Sequence, residues 1–483
     1  MRSSGHFHSS CLRLRRQCAA GASLLITVSG LAACGHDTPA QPSQVVRDEL
    51  VTSAVHPFVA QYGGHCAGLY YYPPRASLLR ARAGTLYFQG TTDGVDAGLW
   101  ATDGTTTGTR LLLSSADYRQ FSATPFLSEI LPTERGVFFV MDPGCVFPSP
   151  IVPTAPPPAP LWWTDGRGTA SALLRDYQVQ GLVQSGDRIF FRAKGADGRT
   201  GLWTLSLATQ TPVEVWHFDN VSDIAPLGSQ GVVFFARRSG EDTRIWFSDG
   251  TQDGSHGLGD FCPAPLMQLA SVGPRAYFVC DRDLAVTDGT PNGTRPAIGA
   301  PSRPTDVFNG LVDFNGRLAF FFRPVAAENT VELWTTDATA DTRQLASFSV
   351  PTDRQAGAAS LVVVDKLDFV VEDTLWRSDG TQAGTAAVAA LPPAASAPDT
   401  TYGYRGGHFL AALDSRLLVV MNDAELWQVD GSVAKRVALD PSVTGIAGIA
   451  ATPSRVYYSA EVSDPAVASL PLPALRAWRL ADE

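Results

Sequence analysis

Gly98-Leu99-Trp100-Ala101-Thr102-Asp103-Gly104-Thr105, closed by Gly108-Thr109, is the stretch that decides the fold, because it returns along the chain. It reappears as Leu161-Trp162-Trp163-Thr164-Asp165-Gly166 and as Ile245-Trp246-Phe247-Ser248-Asp249-Gly250-Thr251. Further copies are Glu332-Leu333-Trp334-Thr335-Thr336-Asp337 and Leu375-Trp376-Arg377-Ser378-Asp379-Gly380-Thr381. Decayed copies stand at Leu202-Trp203, at Glu425-Leu426-Trp427-Gln428-Val429-Asp430-Gly431 and at Arg476-Ala477-Trp478. One copy, Leu284-Ala285-Val286-Thr287-Asp288-Gly289-Thr290, has lost its Trp. The Trp register then runs 100, 162, 203, 246, 285, 334, 376, 427 and 478, a mean spacing of about 47 residues, which suits four-stranded propeller blades.

Each copy follows a short aromatic and β-branched run, such as Leu86-Tyr87-Phe88, Ile189-Phe190-Phe191 or Leu318-Ala319-Phe320-Phe321. Such side chains fit a pleated, half-buried surface, and the runs are too short for helices. Asp-Gly allows positive φ and closes tight hairpins. Each unit therefore reads as strand, loop, Leu-Trp strand, Asp-Gly-Thr turn and further strand. A sheet of this size cannot bury both faces alone, and stacking around an axis solves that. The expected fold is all-β, a closed propeller of eight or nine blades in preference to seven. The chain ends soon after Trp478, so the last unit lacks an outer strand, and Leu69–Tyr72 is a candidate to complete it. The motif Trp reads first as packing between blades, with a repeated ligand platform as the other reading.

The units resemble the ELWxxDGT repeat found in tandem in secreted and surface proteins of bacteria. The resemblance covers most of residues 80–483 and is most specific around 100, 246, 334 and 376. It implies a propeller-like, non-enzymatic array without a characterised activity.

The N-terminus reads as an export signal over residues 1–33. Arg2, Arg13, Arg15 and Arg16 precede the short apolar run from Ala19 to Gly30, which is too short for a permanent span. Leu31-Ala32-Ala33-Cys34 resembles a bacterial lipobox, which makes Cys34 the expected diacylated first residue of the mature chain. An ordinary signal cut after a small-residue site is the alternative. Residues 34–60 read as a tether and 61–483 as the repeat domain.

Seven cysteines occur. Cys11 and Cys18 leave with the signal and Cys34 is the lipid site. Cys66, Cys145, Cys262 and Cys280 remain, an even number in an oxidising compartment with three pairings open. Cys262 and Cys280 lie in one unit and are the expected pair, leaving Cys66 with Cys145; four buried free thiols are the alternative. Pro143–Pro160 is a proline-rich insert that reads as a loop or a polyproline arm.

The net charge is −10, lysine occurs only at 194, 366 and 435, and no basic cluster lies in the mature chain. Nucleic acid is therefore not an expected partner. No H-E-x-x-H, G-x-S-x-G, P-loop or dinucleotide motif is present. The histidines are scattered; His217, beside Trp216 and near Asp219, reads as structural. A calcium ion needs six to eight oxygens. One carboxylate per motif turn is sparse for that, so each Asp is expected to brace its own turn, and no cofactor is expected. Three functions remain. The favoured one is an envelope lipoprotein, on the outer membrane or surface, whose propeller binds a protein or envelope component. The others are a glycan-binding module and a carbohydrate-active enzyme, which would need two converging carboxylates.

Overall fold

The computed structural model describes residues 46–52, 78–91, 97–114, 126–142, 158–167, 170–259, 262, 266–301, 309–324, 327, 329–339, 341–350, 362–363, 366–391, 410–413, 416–421, 424–462 and 472–480. Among them there are strands and turns and no helix. Strand β1 is Val46–Thr52. Blade 1 comprises β2 (Arg80–Arg82), β3 (Thr85–Thr91), β4 (Ala97–Thr102) and β5 (Arg110–Ser114). Blade 2 comprises β6 (Phe126–Thr133), β7 (Gly136–Asp142), β8 (Leu161–Thr164) and β9 (Ser171–Leu174). Blade 3 comprises β10 (Gln178–Ser185), β11 (Arg188–Lys194), β12 (Thr200–Ser206) and β13 (Val213–Phe218). Blade 4 comprises β14 (Asn220–Pro226), β15 (Val232–Arg237), β16 (Arg244–Ser248) and β17 (His256–Gly257). Blade 5 comprises β18 (Leu266–Val272), β19 (Arg275–Cys280), β20 (Asp283–Thr287) and β21 (Arg295–Pro296). Blade 6 comprises β22 (Asn309–Phe314), β23 (Arg317–Phe322), β24 (Thr330–Thr336) and β25 (Arg343–Ser349). Blade 7 comprises β26 (Val362–Val363), β27 (Leu367–Val371), β28 (Thr374–Ser378) and β29 (Ala386–Ala390). Blade 8 comprises β30 (Leu410–Leu413), β31 (Arg416–Met421), β32 (Glu425–Asp430) and β33 (Val433–Arg436). Blade 9 comprises β34 (Val443–Thr452), β35 (Arg455–Val462) and β36 (Leu472–Leu480), with β1 as its fourth strand.

The protein is thus a nine-bladed, all-β propeller of antiparallel four-stranded sheets. Period-two alternation sends each strand's side chains to two different neighbours. In blade 1, Leu99 and Ala101 meet Phe139 and Trp162 of blade 2, while Phe88 and Trp100 meet Tyr457, Leu475 and Val51 of blade 9. The same division recurs around the ring, and nine apolar clusters fill the nine junctions. Stability is therefore distributed over neighbour interfaces, as in any array of repeats.

Closure differs from expectation in one respect. The strand that completes the last blade is β1, paired from Val46 opposite Leu480 to Thr52 opposite Leu475. It comes from the segment read as a tether, so the folded body begins at Val46 and not at residue 61. Leu69–Tyr72 lies outside the described residues. Val46–Thr52 reads Val-Arg-Asp-Glu-Leu-Val-Thr, with charged residues at its centre and no apolar alternation to mark it as a strand.

Cys262 and Cys280 are disulfide-bonded, with Cα atoms 5.9 Å apart. The bridge fastens the connection between β17 and β18 to the end of β19, whose Cys280 lies opposite Leu266 of β18. Closing an 18-residue separation should contribute about 3 kcal/mol in the chain-entropy model. Cys280→Ser is expected to lower unfolding free energy by about that amount. Denaturation with and without reductant checks this, since reductant should shift the parent protein and leave the variant unmoved. Cys34, Cys66 and Cys145 lie outside the described residues.

Candidate binding face

The motif tryptophans lie in the junctions. Trp162, Trp203 and Trp246 are 6–9% exposed and Trp478 is fully buried. Trp100, Trp334, Trp376 and Trp427 are half-buried and pack against the same class of cluster. Each sits opposite an apolar residue of its blade's second strand: Phe88 faces Trp100, Phe191 faces Trp203 and Phe320 faces Trp334. Ala285 holds that place in blade 5, opposite Phe278. Their arrangement is that of wedges between blades, not of a platform repeated from blade to blade.

Trp478 departs from the register in which its copy was placed. The first hairpin of each blade pairs Arg82 with Thr85 and, equivalently, Thr452 with Arg455. Tyr458 is therefore the counterpart of Phe88, and its partner is Arg476; Trp478 lies opposite Val456. Arg476 holds the motif position, 6% exposed, with its guanidinium 3.2 Å from Asp440. Trp478 still enters the junction between blades 8 and 9 because residues two apart share a face. The Glu of Glu-Leu-Trp has a visible purpose in two copies: Glu332 accepts the Trp334 indole N–H at 2.9 Å, and Glu425 accepts that of Trp427 at 3.1 Å.

The Asp-Gly-Thr turns are braced by their own side chains. Asp103 Oδ1 accepts the Thr105 N–H at 2.8 Å and its hydroxyl at 2.7 Å. Thr105 Oγ1 accepts the Gly108 N–H at 2.9 Å, and Thr102 Oγ1 lies 2.7 Å from Thr109 Oγ1. Asp249, Asp288 and Asp379 repeat the bracing with Thr251, Thr290 and Thr381, and Asp337 repeats it with Thr339. Asp165 accepts the Arg167 N–H. Asp430 ends a strand in a two-residue hairpin opposite Val433 and lies 4.0 Å from Arg416. The closing glycine is required by space: a Cβ on Gly108 would stand 2.0 Å from Asp103 Oδ1. Among the described residues no group of three or more His, Cys, Asp or Glu side chains is arranged to hold a metal ion.

These turns also join blades. Arg110 donates to the Gly166 carbonyl of the next blade at 2.6 Å, Arg295 donates to that of Ala338 at 3.1 Å, and His256 Nε2 lies 3.2 Å from that of Gly289. Glu129 accepts the N–H groups of Gly181 and Leu182 at 2.6 and 2.8 Å, stitching blade 2 to blade 3. No repeat position marks Glu129 in the sequence. His217 lies between Glu214, at 2.7 Å, and Asp197, at 3.6 Å, on the exposed outer strand of blade 3; Asp219 is not its partner in either contact.

Hydrogen bonds from Thr105 hold the Asp103 carboxyl below the usual carboxylate range, and those from Thr381 do the same for Asp379. Ser442, followed by Arg476, lowers that of Asp440. A carboxyl with a lower pKa folded than unfolded adds stability that is present above the unfolded value and is lost as pH falls through the folded one. Thermal unfolding midpoints should therefore fall below about pH 4. The decline should be shallower in a variant combining Asp103→Asn with Asp379→Asn; an equal acid decline in both proteins would contradict the assignment.

The ring has two unlike ends. Antiparallel order places the first-to-second and third-to-fourth connections of every blade at one end. There the links are tight, as at 83–84, 186–187 and 273–274 and in the motif turns such as 103–109. The second-to-third and fourth-to-first connections lie at the other end. The strands that leave and enter there are separated in sequence by the longest stretches of chain, among them 53–79, 115–125, 143–160, 350–361, 391–409 and 463–471. The Cys262–Cys280 bridge lies at this second end; the proline-rich insert, Cys66 and Cys145 fall in sequence within two of these stretches. Variable length at one end of a rigid scaffold is where binding residues concentrate.

No family model matches this chain, and no curated protein does. Among solved structures, it is similar to one described as a prolyl endopeptidase, at 13% identity and a TM-score of 0.45, covering 72% of this chain and 55% of that one. It is also similar to the β-propeller domain of the Trilobed protease from Pyrococcus furiosus, at 13% identity and a TM-score of 0.35, covering 66% of this chain and 99% of that one. The chain spans little more than half the length of the first, and both likenesses are of fold alone.

Proposed function

We propose that this protein is an exported lipoprotein of the ELWxxDGT type, anchored to the bacterial envelope through Cys34, whose long-connection end binds a protein or envelope component. The observation that carries the reading is the asymmetry of the ring: tight, self-braced turns at one end and every long connection at the other. Chain direction supports it. Val46 pairs with Leu480, so the chain that follows Cys34 enters β1 at the turn end. Burial of the motif tryptophans in the junctions weighs against a repeated sugar platform.

Photo-crosslinking residues in place of Ser239, on the long-connection end, and of Gln252, in a motif turn, test the contact face in cells. Adducts from position 239 and none from 252 are expected; equal adducts from both would remove the reading. The anchor is tested by mass and fractionation of Cys34→Ala, which should lose the lipid mass and leave the membrane fraction.

A further inference from the structure

Nine of the chain's ten tryptophans lie in Leu-Trp, Ile-Trp or Leu-Trp-Trp strands or close the last blade; Trp216 belongs to none of these. It lies on β13, the outer strand of blade 3, opposite Leu202. In other blades the same place is taken by Leu113, Leu174, Ala346 and Ala389, opposite Leu99, Leu161, Leu333 and Leu375. An indole here is thus not something the repeat requires.

What covers it is a cation. The Arg238 guanidinium carbon stands 4.9 Å from the Trp216 ring centroid and 4.3 Å from that of Trp246. The two indoles are 6.2 Å apart and tilted by 45°. Phe218 packs edge-on against Trp246 at 5.2 Å. Arg238 follows β15 directly, in the connection at the long-connection end. Among the described residues its guanidinium has neither an ion pair nor a hydrogen bond. Other arginines at the junctions are held by carboxylates, as Arg377 is by Asp368 and Arg476 by Asp440. Arg238 is held by ring faces, and its own loop, with Ser239 and Gly240 exposed, leaves it a route to solvent.

We propose that Trp216 and Trp246 form a receptor for a guanidinium group, an arginine side chain of a partner polypeptide, which Arg238 occupies in the free protein. Ring quadrupoles attract any organic cation; the guanidinium is favoured because one already lies over both indole rings, 4.9 and 4.3 Å from their centroids. An incoming arginine displaces Arg238 into solvent and exchanges one cation for another, so the site opens without leaving a buried charge unpaired. The proposal rests on the long-connection end being the contact face.

The test is saturation-transfer NMR titration of the whole mature protein with N-acetyl-arginine amide and with its neutral isostere, N-acetyl-citrulline amide. Arg238→Ala vacates the receptor and should bind the arginine amide about tenfold tighter than the parent, with no gain for citrulline. Adding Trp216→Ala to that variant should abolish the gain. If Arg238→Ala does not fold, Arg238→Gln serves, since it also removes the charge. Equal affinity of parent and Arg238→Ala, equal binding of both amides, or a preference for tetramethylammonium over the arginine amide would overturn the proposal. Crosslinks from position 239 that persist in Trp216→Ala, together with any of those results, would remove the receptor and leave the contact face standing. Loss of the crosslinks from the parent protein would remove the face itself.

Discussion

Deleting residues up to Thr52 is expected to open the ring and to cost about 5 kcal/mol or more. β1 is the only fourth strand of blade 9, paired with β36 over its length, and each lost backbone hydrogen bond contributes about 1 kcal/mol. Val51, 3% exposed, also leaves the cluster where Leu79, Leu86 and Phe88 of blade 1 meet Tyr457 and Leu475 of blade 9. Exposing it adds about 2 kcal/mol. Because blade 9 touches blade 1 through that cluster, the loss should spread to the junction and lower cooperativity as well as the midpoint. Urea denaturation followed by tryptophan fluorescence reads both. Val51→Asp, which keeps the strand and places a charge in the junction, should move the midpoint in the same direction. An unchanged midpoint in both variants would mean that the ring does not close through β1.

Trp203→Ala is expected to destabilise the protein by about 3–5 kcal/mol, the range for removing a large buried aromatic. Trp203 is 9% exposed and fills the junction between blades 2 and 3 with Phe138, Leu161 and Phe191. Its ring meets Tyr177 edge-on at 5.0 Å. Trp203→Phe should recover part of the loss, since it restores apolar volume but not the whole indole. A change in binding with stability unmoved would instead mark the motif Trp as a ligand platform.

Much of the fold was legible because the repeat carries its own punctuation. Asp103-Gly104-Thr105 with Gly108-Thr109 encodes a turn whose bracing hydrogen bonds run between residues 102 and 109, so residues within one short span suffice to specify it. Phe88 and Trp100 could be read as neighbours because aromatic run and Leu-Trp strand recur in fixed order. Counting nine such pairs, even where Ala285 had replaced the Trp, narrowed the ring to eight or nine blades, and strand pairing makes it nine. Trp478 shows the limit of this counting: Arg476-Ala477-Trp478 looks like a decayed copy, yet pairing with β35 places Arg476 in the motif position. Only the partner strand sets register, and a shift of two keeps the same face, so composition cannot reveal it.

The sequence by itself determined the local chemistry: short β strands, their order, the braced Asp-Gly-Thr turns and the Cys262–Cys280 pairing within one unit. Each depends on residues close together in the chain. Tertiary structure alone decided what depends on residues far apart: that β1 closes blade 9, that Glu129 ties blade 2 to blade 3, and that Arg238 lies over the rings of Trp216 and Trp246. These contacts join different blades or the two ends of the chain. Their partners are set by how the sheets stack around the axis, and no periodicity in one segment records which residue of another it will meet.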